Sequence, residues 1–303
     1  MIYNDKNKIN LGQLGIVSKG GSDNDADWAN IGYDVPPEAV QKDFNYAKQL
    51  KENWKPGDNF FPDEKLGILP VVGSKDEDYS LEQLCHMNRY LYDVSALKYY
   101  DFSRVTSLDF AFYMCDGIRN KIIEFNLNAP KCRHLSGIFG KNRVGEECHI
   151  EEIDINDFHT AENCDVSGII GGASGIKSLS INGNLSNISN LNAAFNGCFN
   201  LKCIDFDSGL GANMELTEIN LQDTKVGMAN DERYDRLSFN SLCVNLADRH
   251  QIAEEKGIEF KPCQIIINEE VYNSHSGVFN IPQIKMIQQQ KGYEMIGLPP
   301  REY

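Results

Sequence analysis

The stretches Val105–Ile118 (VTSLDFAFYMCDGI) and Ile188–Leu201 (ISNLNAAFNGCFNL) decide how this chain is read. In both, a β-branched residue is followed by Leu three on, an Ala-Phe pair, Cys three after the Phe, and Ile or Leu three later, without a gap. Self-similarity of this kind marks a stacked repeat, in which each unit buries its apolar face against its neighbours. The spacing of Val105, Leu108, Ala111 with Phe112, Cys115 and Ile118 predicts the inward stripe of a short helix or 3₁₀ turn. Ile188, Leu191, Phe195, Cys198 and Leu201 form the same stripe in the second copy, and together the two sets make the predicted repeat core. A helix this short is marginal in water and needs a neighbour above and below.

A short β-prone run follows each copy, Lys121–Phe125 (KIIEF) and Lys202–Phe206 (KCIDF). Similar runs occur at Ile153–Ile155, Leu179–Ile181 and Leu216–Leu221. Strand starts therefore recur about every 25 to 30 residues, within the range of leucine-rich and related arrays. Weaker copies of the motif lie between them, one at Cys132, Leu135, Ile138 and Phe139, another at Val166, Ile169 and Ile170. Each unit reads as strand, turn and short helix, with the strands in a parallel ladder and Asn, Ser, Asp and Gly in the loops, as at Asn182-Gly183-Asn184.

An earlier unit is predicted from Leu66–Val72 through Leu81, Leu84, Met87 and Leu91. Before it, Val40, Phe44, Ala47, Leu50 and Trp54 follow helical spacing between Pro36-Pro37 and Pro56-Gly57, predicting a capping helix. Beyond the array, Leu237, Leu242 and Leu246 predict a helix and Gln264–Ile267 a strand. Pro282–Gln290 predicts a second helix with Ile284 and Ile287 inward, and Tyr293–Ile296 a last strand. The expected fold is an α/β solenoid, an irregular leucine-rich-repeat-like stack of short parallel strands and short helices. Its divisions are an arm or attachment element (1–31), an N-terminal capping helix (32–60), degenerate repeats (61–236) and a C-terminal capping region (237–303).

The 303 residues carry 44 acidic and 29 basic side chains, a formal net charge of -15, with no basic block. That field repels polyanions, so nucleic acid and anionic membrane are not expected partners. The first twenty residues hold no uninterrupted apolar run for a secretion signal, and no later stretch is long enough to span a bilayer. The nine cysteines, at 85, 115, 132, 148, 164, 198, 203, 243 and 263, are odd in number and scattered. They predict reduced, buried thiols rather than a disulfide framework.

Four constellations invite a chemical reading. Gly171–Ser178 (GGASGIKS) comes one residue from a phosphate-binding loop, but Ile176 stands where Gly must precede Lys, so a repeat turn is expected. Asp23, Asp25, Asp27 and Asp34 are spaced as in a calcium loop, with Trp28 in place of the turn glycine; they are weak metal candidates and read first as a solvated acidic loop. Cys148, His149, His159 and Cys164 lack the close Cys pair of a zinc site. Glu146-Glu147 and Glu151-Glu152 are adjacent pairs whose members point apart, unlike glycosidase carboxylates. No nucleophile signature is present. No catalytic residue, cofactor or metal is therefore assigned.

The two copies resemble the BspA-like leucine-rich repeats, whose recurring text is close to V-T-N-M-x-x-M-F-x-x-C-x-x-L followed by a strand. Val105, Thr106, Phe112, Cys115 and Ile118 fit the first copy, and Ile188, Phe195, Cys198 and Leu201 the second; Ala111 and Ala194 replace the frequent Met. The units between depart from it, with Gly140 or Gly171 near the expected Phe-x-x-Cys. The run Gly32–Trp54 followed by LGILPVV is similar to the leader before such repeats in proteins of Bacteroides and their phages. The resemblance covers about two thirds of the chain. It implies a non-enzymatic phage virion structural protein, a tail or head appendage or fibre component, made in the host cytoplasm. Its arm before Gly32 would bind other virion proteins, and its repeat face a host surface protein or glycan, with or without homo-oligomerisation. The alternatives are an adhesin-like or intracellular interaction module, cytoplasmic or at the cell surface, and, third, a glycan-acting enzyme.

Overall fold

The computed structural model describes Leu69 and residues 77–89, 91–142, 149–228, 239, 242–273 and 281–301. The expected arm, the capping helix, Leu237 and all of Leu66–Val72 except Leu69 lie outside the described residues. So do Asp23, Asp25, Asp27, Asp34, Glu146, Glu147 and Cys148.

Strict alternation of apolar and polar residues predicts a strand with one face buried. Ile122–Ala129 (IIEFNLNA) alternates in this way, and its burial alternates with it. The strands in chain order are β1 (Tyr79–Ser80), β2 (Val105–Ser107), β3 (Ile122–Ala129), β4 (Glu152–Thr160), β5 (Cys164–Asp165) and β6 (Ser178–Gly183). They continue with β7 (Ile188–Asn190), β8 (Cys203–Phe206), β9 (Glu218–Leu221), β10 (Cys263–Asn268) and β11 (Tyr293–Leu298). A 3₁₀ helix spans Ser95–Tyr99, and the α-helices are α1 (Arg249–Lys256), α2 (Glu269–Tyr272) and α3 (Ile281–Gln290).

All strand pairings are parallel. The first sheet has the order β3-β4-β6-β8. Its register aligns Ile123, Ile153, Leu179 and Ile204 in one inward row and Phe125, Ile155, Ile181 and Phe206 in another. A second ladder comprises β1 with β2 and β5 with β7, joined through single bridges from His134 to Ser107 and to Asp165. A third sheet has the order β11-β10-β9, its last two strands connected through α2 and α3. The strands expected from Leu216, Gln264 and Tyr293 are β9, β10 and β11, and the helix expected from Pro282 is α3. One continuous apolar core runs from Leu69 to Met295, with Ile284 of α3 packed against it.

Of the short helix or 3₁₀ turn that its spacing predicts, the repeated motif forms no helix; it is a run of turns, with bonds between residues three apart such as Ala111 to Leu108. After β1, β2, His134, β5 and β7 the chain passes through five turn stretches, each hydrogen-bonded to the next. The amides of Leu81, Gln83, Cys85 and Met87 donate to carbonyls of Ser107, Asp109, Ala111 and Tyr113, and the pattern recurs up the stack. Two residues per stretch, four apart, adopt positive φ: Gln83 and Met87, Phe110 and Met114, Gly137 and Lys141, Gly168 and Gly172, Ala193 and Gly197. A left-handed residue every four positions breaks any right-handed helix, so the stripe is delivered by turns whose bonds run between units. The ten repeat-core residues are all buried, at 0 to 2 % exposure. Met87, grouped with Leu81, Leu84 and Leu91 from sequence, instead faces solvent at 51 % exposure, because it occupies one of the positive-φ positions.

Candidate functional site

The turn stretches are set by short polar residues at their entrances. Side-chain oxygens of Ser80, Ser107, Asp165 and Asn190 accept the amide two residues on, a local bond that Ser, Asp and Asn make readily. In the third stretch His134 holds that place, and the Ser136 amide bonds to Asp109 of the preceding unit at 2.6 Å.

Register then decides the surface. The interunit bonds align Gln83, Phe110, Gly137, Gly168 and Ala193 in one column and Met87, Met114, Lys141, Gly172 and Gly197 in another. A third column between them runs His86, Tyr113, Gly140, Gly171 and Asn196. Side chains are large in the first two units and, Lys141 apart, vanish in the third and fourth, so the surface drops. The result is a cleft of about 970 Å³ floored by Gly137, Gly168, Gly171 and Gly172. Phe110 and Tyr113 wall one end, their rings edge to face at 5.3 Å, and Phe199 walls the other at 39 % exposure. The polar lining is Ser136, Ser167, Ser174, Asn192, Asn196 and Lys141. Ser136 and Ser167 share a hydroxyl bond of 3.0 Å, and the Lys141 ammonium lies 5.7 Å from the Tyr113 ring.

Two of the floor positions have no room for a side chain. A Cβ on Gly171 would sit 2.6 Å from the Ala193 carbonyl oxygen, and one on Gly137 2.7 Å from the Phe110 ring. The backbone around the cleft is engaged as well. In each unit the carbonyl at the first positive-φ position accepts the amide three residues on, as Gly137 does from Gly140 and Gly168 from Gly171. Recognition here falls chiefly to side chains.

The cysteine of the motif has a specific task. Cys115 and Cys198 direct their thiols at the carbonyls of Cys85 and Ile170 one unit back, at 2.6 and 3.1 Å. Asn142, at the matching place, does the same to Phe112 with its amide at 3.0 Å. A buried side-chain donor thus holds this place in the second, third and fifth units, while Ala173 fills it in the fourth, a role that spacing alone did not reveal. None of the eight described cysteines forms a disulfide, and all but Cys203 are buried. Burial pushes the thiols of Cys132, Cys198, Cys243 and Cys263 up to about 12, and those of Cys85 and Cys164 upward as well.

The other candidates come apart. In Gly171–Ser178 the amides of Gly171, Gly172, Ala173, Ser174, Ile176, Lys177 and Ser178 all donate to carbonyls, so too few are left to cradle a phosphate. Lys177 pairs instead with Glu151 at 2.8 Å, and that bond holds the Glu151 carboxyl below its usual range. Cys164 is buried, whereas His149 and His159 are exposed at opposite ends of β4, about 30 Å apart along an extended strand. Among the described residues no group of three or more His, Cys, Asp or Glu could hold a metal ion.

The outward face of the first sheet is the second feature of note. Glu124, Asp154 and Asp205 fall in one cross-strand row, beside Glu152. Burial first, then Glu152, Glu124 and Asp205, push the Asp154 carboxyl upward. Asn182 and Asn156 extend the row system with amide bonds, Asn182 to Asn156 at 3.0 Å and Asn156 to Glu124 at 3.4 Å.

Compared with protein-family models, with curated proteins and with solved structures, the chain matches none.

Proposed function

We propose that this chain is a non-enzymatic virion structural protein whose stacked units form a leucine-rich-repeat solenoid of the BspA-like type. It serves as a tail or head appendage or fibre component that recognises a host surface through the turn face of the stack. The observation that supports recognition is the cleft between Phe110, Tyr113 and Phe199, with a glycine floor and a side-chain lining of hydroxyls and amides. Clefts of this size and mixed lining are ordinary ligand sites. The virion setting rests on the resemblance of the motif to phage and Bacteroides repeat proteins, with residues 1–31 as the attachment element. No helix of the described residues is long and apolar enough to cross a membrane.

Two measurements test the reading. Mass spectrometry of purified particles is expected to detect the chain, and its absence from particles despite abundant expression would sink the virion assignment. The purified chain is expected to bind Bacteroides cells, and Ala193→Phe is expected to weaken that binding. Unchanged binding by a folded variant would move recognition away from the turn face.

A further inference from the structure

We infer that the turn-face cleft takes a short oligosaccharide segment, not a peptide. This rests on the recognition role proposed above and names the ligand class of that site.

The argument begins with what the cleft withholds. An extended peptide that adds to a protein edge is held chiefly by main-chain bonds. Here the amides of the first four stretches that face along the stack donate to the next unit, and the turn carbonyls of Gly137 and Gly168 accept within their own units. Main-chain pairing over most of the cleft is therefore already taken, and a peptide would have to hold chiefly by its side chains.

Next comes what the cleft offers. Aromatic rings stand at both ends, Tyr113 with Phe110 and then Phe199, and hydroxyl and amide groups lie between them. A pyranose presents an apolar C–H face on one side and hydroxyls around its rim. The face suits an aromatic ring, and the hydroxyls suit side chains that both donate and accept, as Ser167, Asn192 and Asn196 can. Successive units of a parallel ladder repeat at about 4.8 Å, close to the length of one sugar residue. Three such steps separate the unit of Tyr113 from the unit of Phe199, so the cleft spans a segment of a few sugars. A glycine floor lets the ring stack lie flat against the backbone.

The test uses the full chain and Bacteroides cells that are intact, periodate-oxidised or protease-shaved. Periodate cleaves vicinal diols and so destroys most sugars while leaving most protein surface. Binding is expected to survive protease and to fall at least tenfold after periodate. Ala193→Phe is expected to lower binding at least tenfold with little change in Tm, because the equivalent place three units earlier already holds Phe110 at the same backbone conformation. Asn192→Ala with Asn196→Ala is the second variant, should the phenylalanine disturb folding, and the same loss is expected. Binding that resists periodate and is lost to protease overturns the saccharide assignment and leaves the recognition role standing. Absence of binding to any of the three cell preparations overturns both.

Discussion

At the residue scale, the stack depends on side chains that do two things at once. Phe112 stacks on Phe139 at 5.4 Å, and Phe195 meets Phe206 of β8 at 6.2 Å. Both rings are 1 % exposed, so Phe112→Ala and Phe195→Ala should each destabilise the protein by about 3 to 5 kcal/mol. Chemical denaturation measures this; a loss below about 1 kcal/mol at either site would mean that the cavity collapses freely. The cysteines lead to a second expectation. Thiolate is the reactive form; burial raises the thiols of Cys198, Cys243 and Cys263 far above neutrality, and Cys115 is fully buried. At pH 8 the native chain should therefore leave Cys115, Cys198, Cys243 and Cys263 unlabelled by an alkylating reagent, with half-buried Cys203 reacting before them and all reacting after unfolding. Labelling of Cys198 in the native state would contradict its place behind the Ile170 carbonyl.

Asp93 supplies the pH-sensitive residue. It is 1 % exposed, and one carboxylate oxygen accepts both the Ser95 amide at 2.8 Å and the Asn120 amide at 3.2 Å. Burial outweighs these bonds and raises its pKa above 3.8. The folded state therefore holds the proton more tightly than the unfolded state does. This group's contribution is most favourable below its unfolded pKa and is lost as pH rises through the folded value. Asp93→Asn keeps the one oxygen that does the accepting and removes the titration. Its stability relative to the native chain should grow as pH rises from about 4 toward 7. A constant difference across that range would show that Asp93 is not raised.

At the element scale, the sheets were legible and the turns were not. Alternation such as Ile122–Ala129 has no other physical reading, and the strands after each motif copy fell where apolar runs placed them. The motif itself has period three, which a 3₁₀ turn and a stack of tight turns share. What separates them is the positive φ of Gln83, Met87, Phe110, Met114, Lys141 and Ala193, and none of these side chains announces it. Glycine marks the position only in the later units. Helix α1 escaped notice because it holds few apolar residues, although Asp248 caps its amino end and Gly257 closes it at φ 61°. The cleft was hidden for another reason: its floor joins glycines from different units, and spacing within one unit does not reveal register between units. Gly171 reads as a departure from the motif; stacked, it becomes part of the floor.

The two kinds of floor glycine should respond differently. Gly168 has φ +59° and no atom within 3.9 Å of a built Cβ, so Gly168→Ala meets only backbone strain, about 1 to 2 kcal/mol. Gly171 needs no positive φ, but its Cβ would press on the Ala193 carbonyl at 2.6 Å and push two units apart. Gly171→Ala should therefore be the more destabilising of the pair in denaturant titration. The reverse order would mean that the interunit bond between Ile170 and Ala194, already 3.3 Å, yields without loss.

At the scale of the whole molecule, the question is how the parallel stack ends without exposing its last apolar layer. A stack of nearest-neighbour units needs a dissimilar element at its end. Here the sheet β11-β10-β9 continues the core, and Arg249 at the start of α1 fastens it. Its side chain is fully buried and all its hydrogen-bond partners are carbonyls: Gly211, Asn213, Met214 and Lys261. It also lies 5.9 Å from the ring of Tyr293, whose hydroxyl donates to the Ala247 carbonyl at 3.1 Å. One guanidinium thus ties the loop after β8, the approach to β10 and the start of β11. Arg249→Met keeps much of the apolar volume but leaves those carbonyls without their donor, a loss on the order of 3 to 5 kcal/mol. Because the bonds are confined to this end, the loss should be local. Amide exchange in β10 and β11 should accelerate, while β4 and β6, flanked on both sides within their own sheet, keep their protection. Equal acceleration throughout would show instead that the closing sheet and the stack unfold as one cooperative unit.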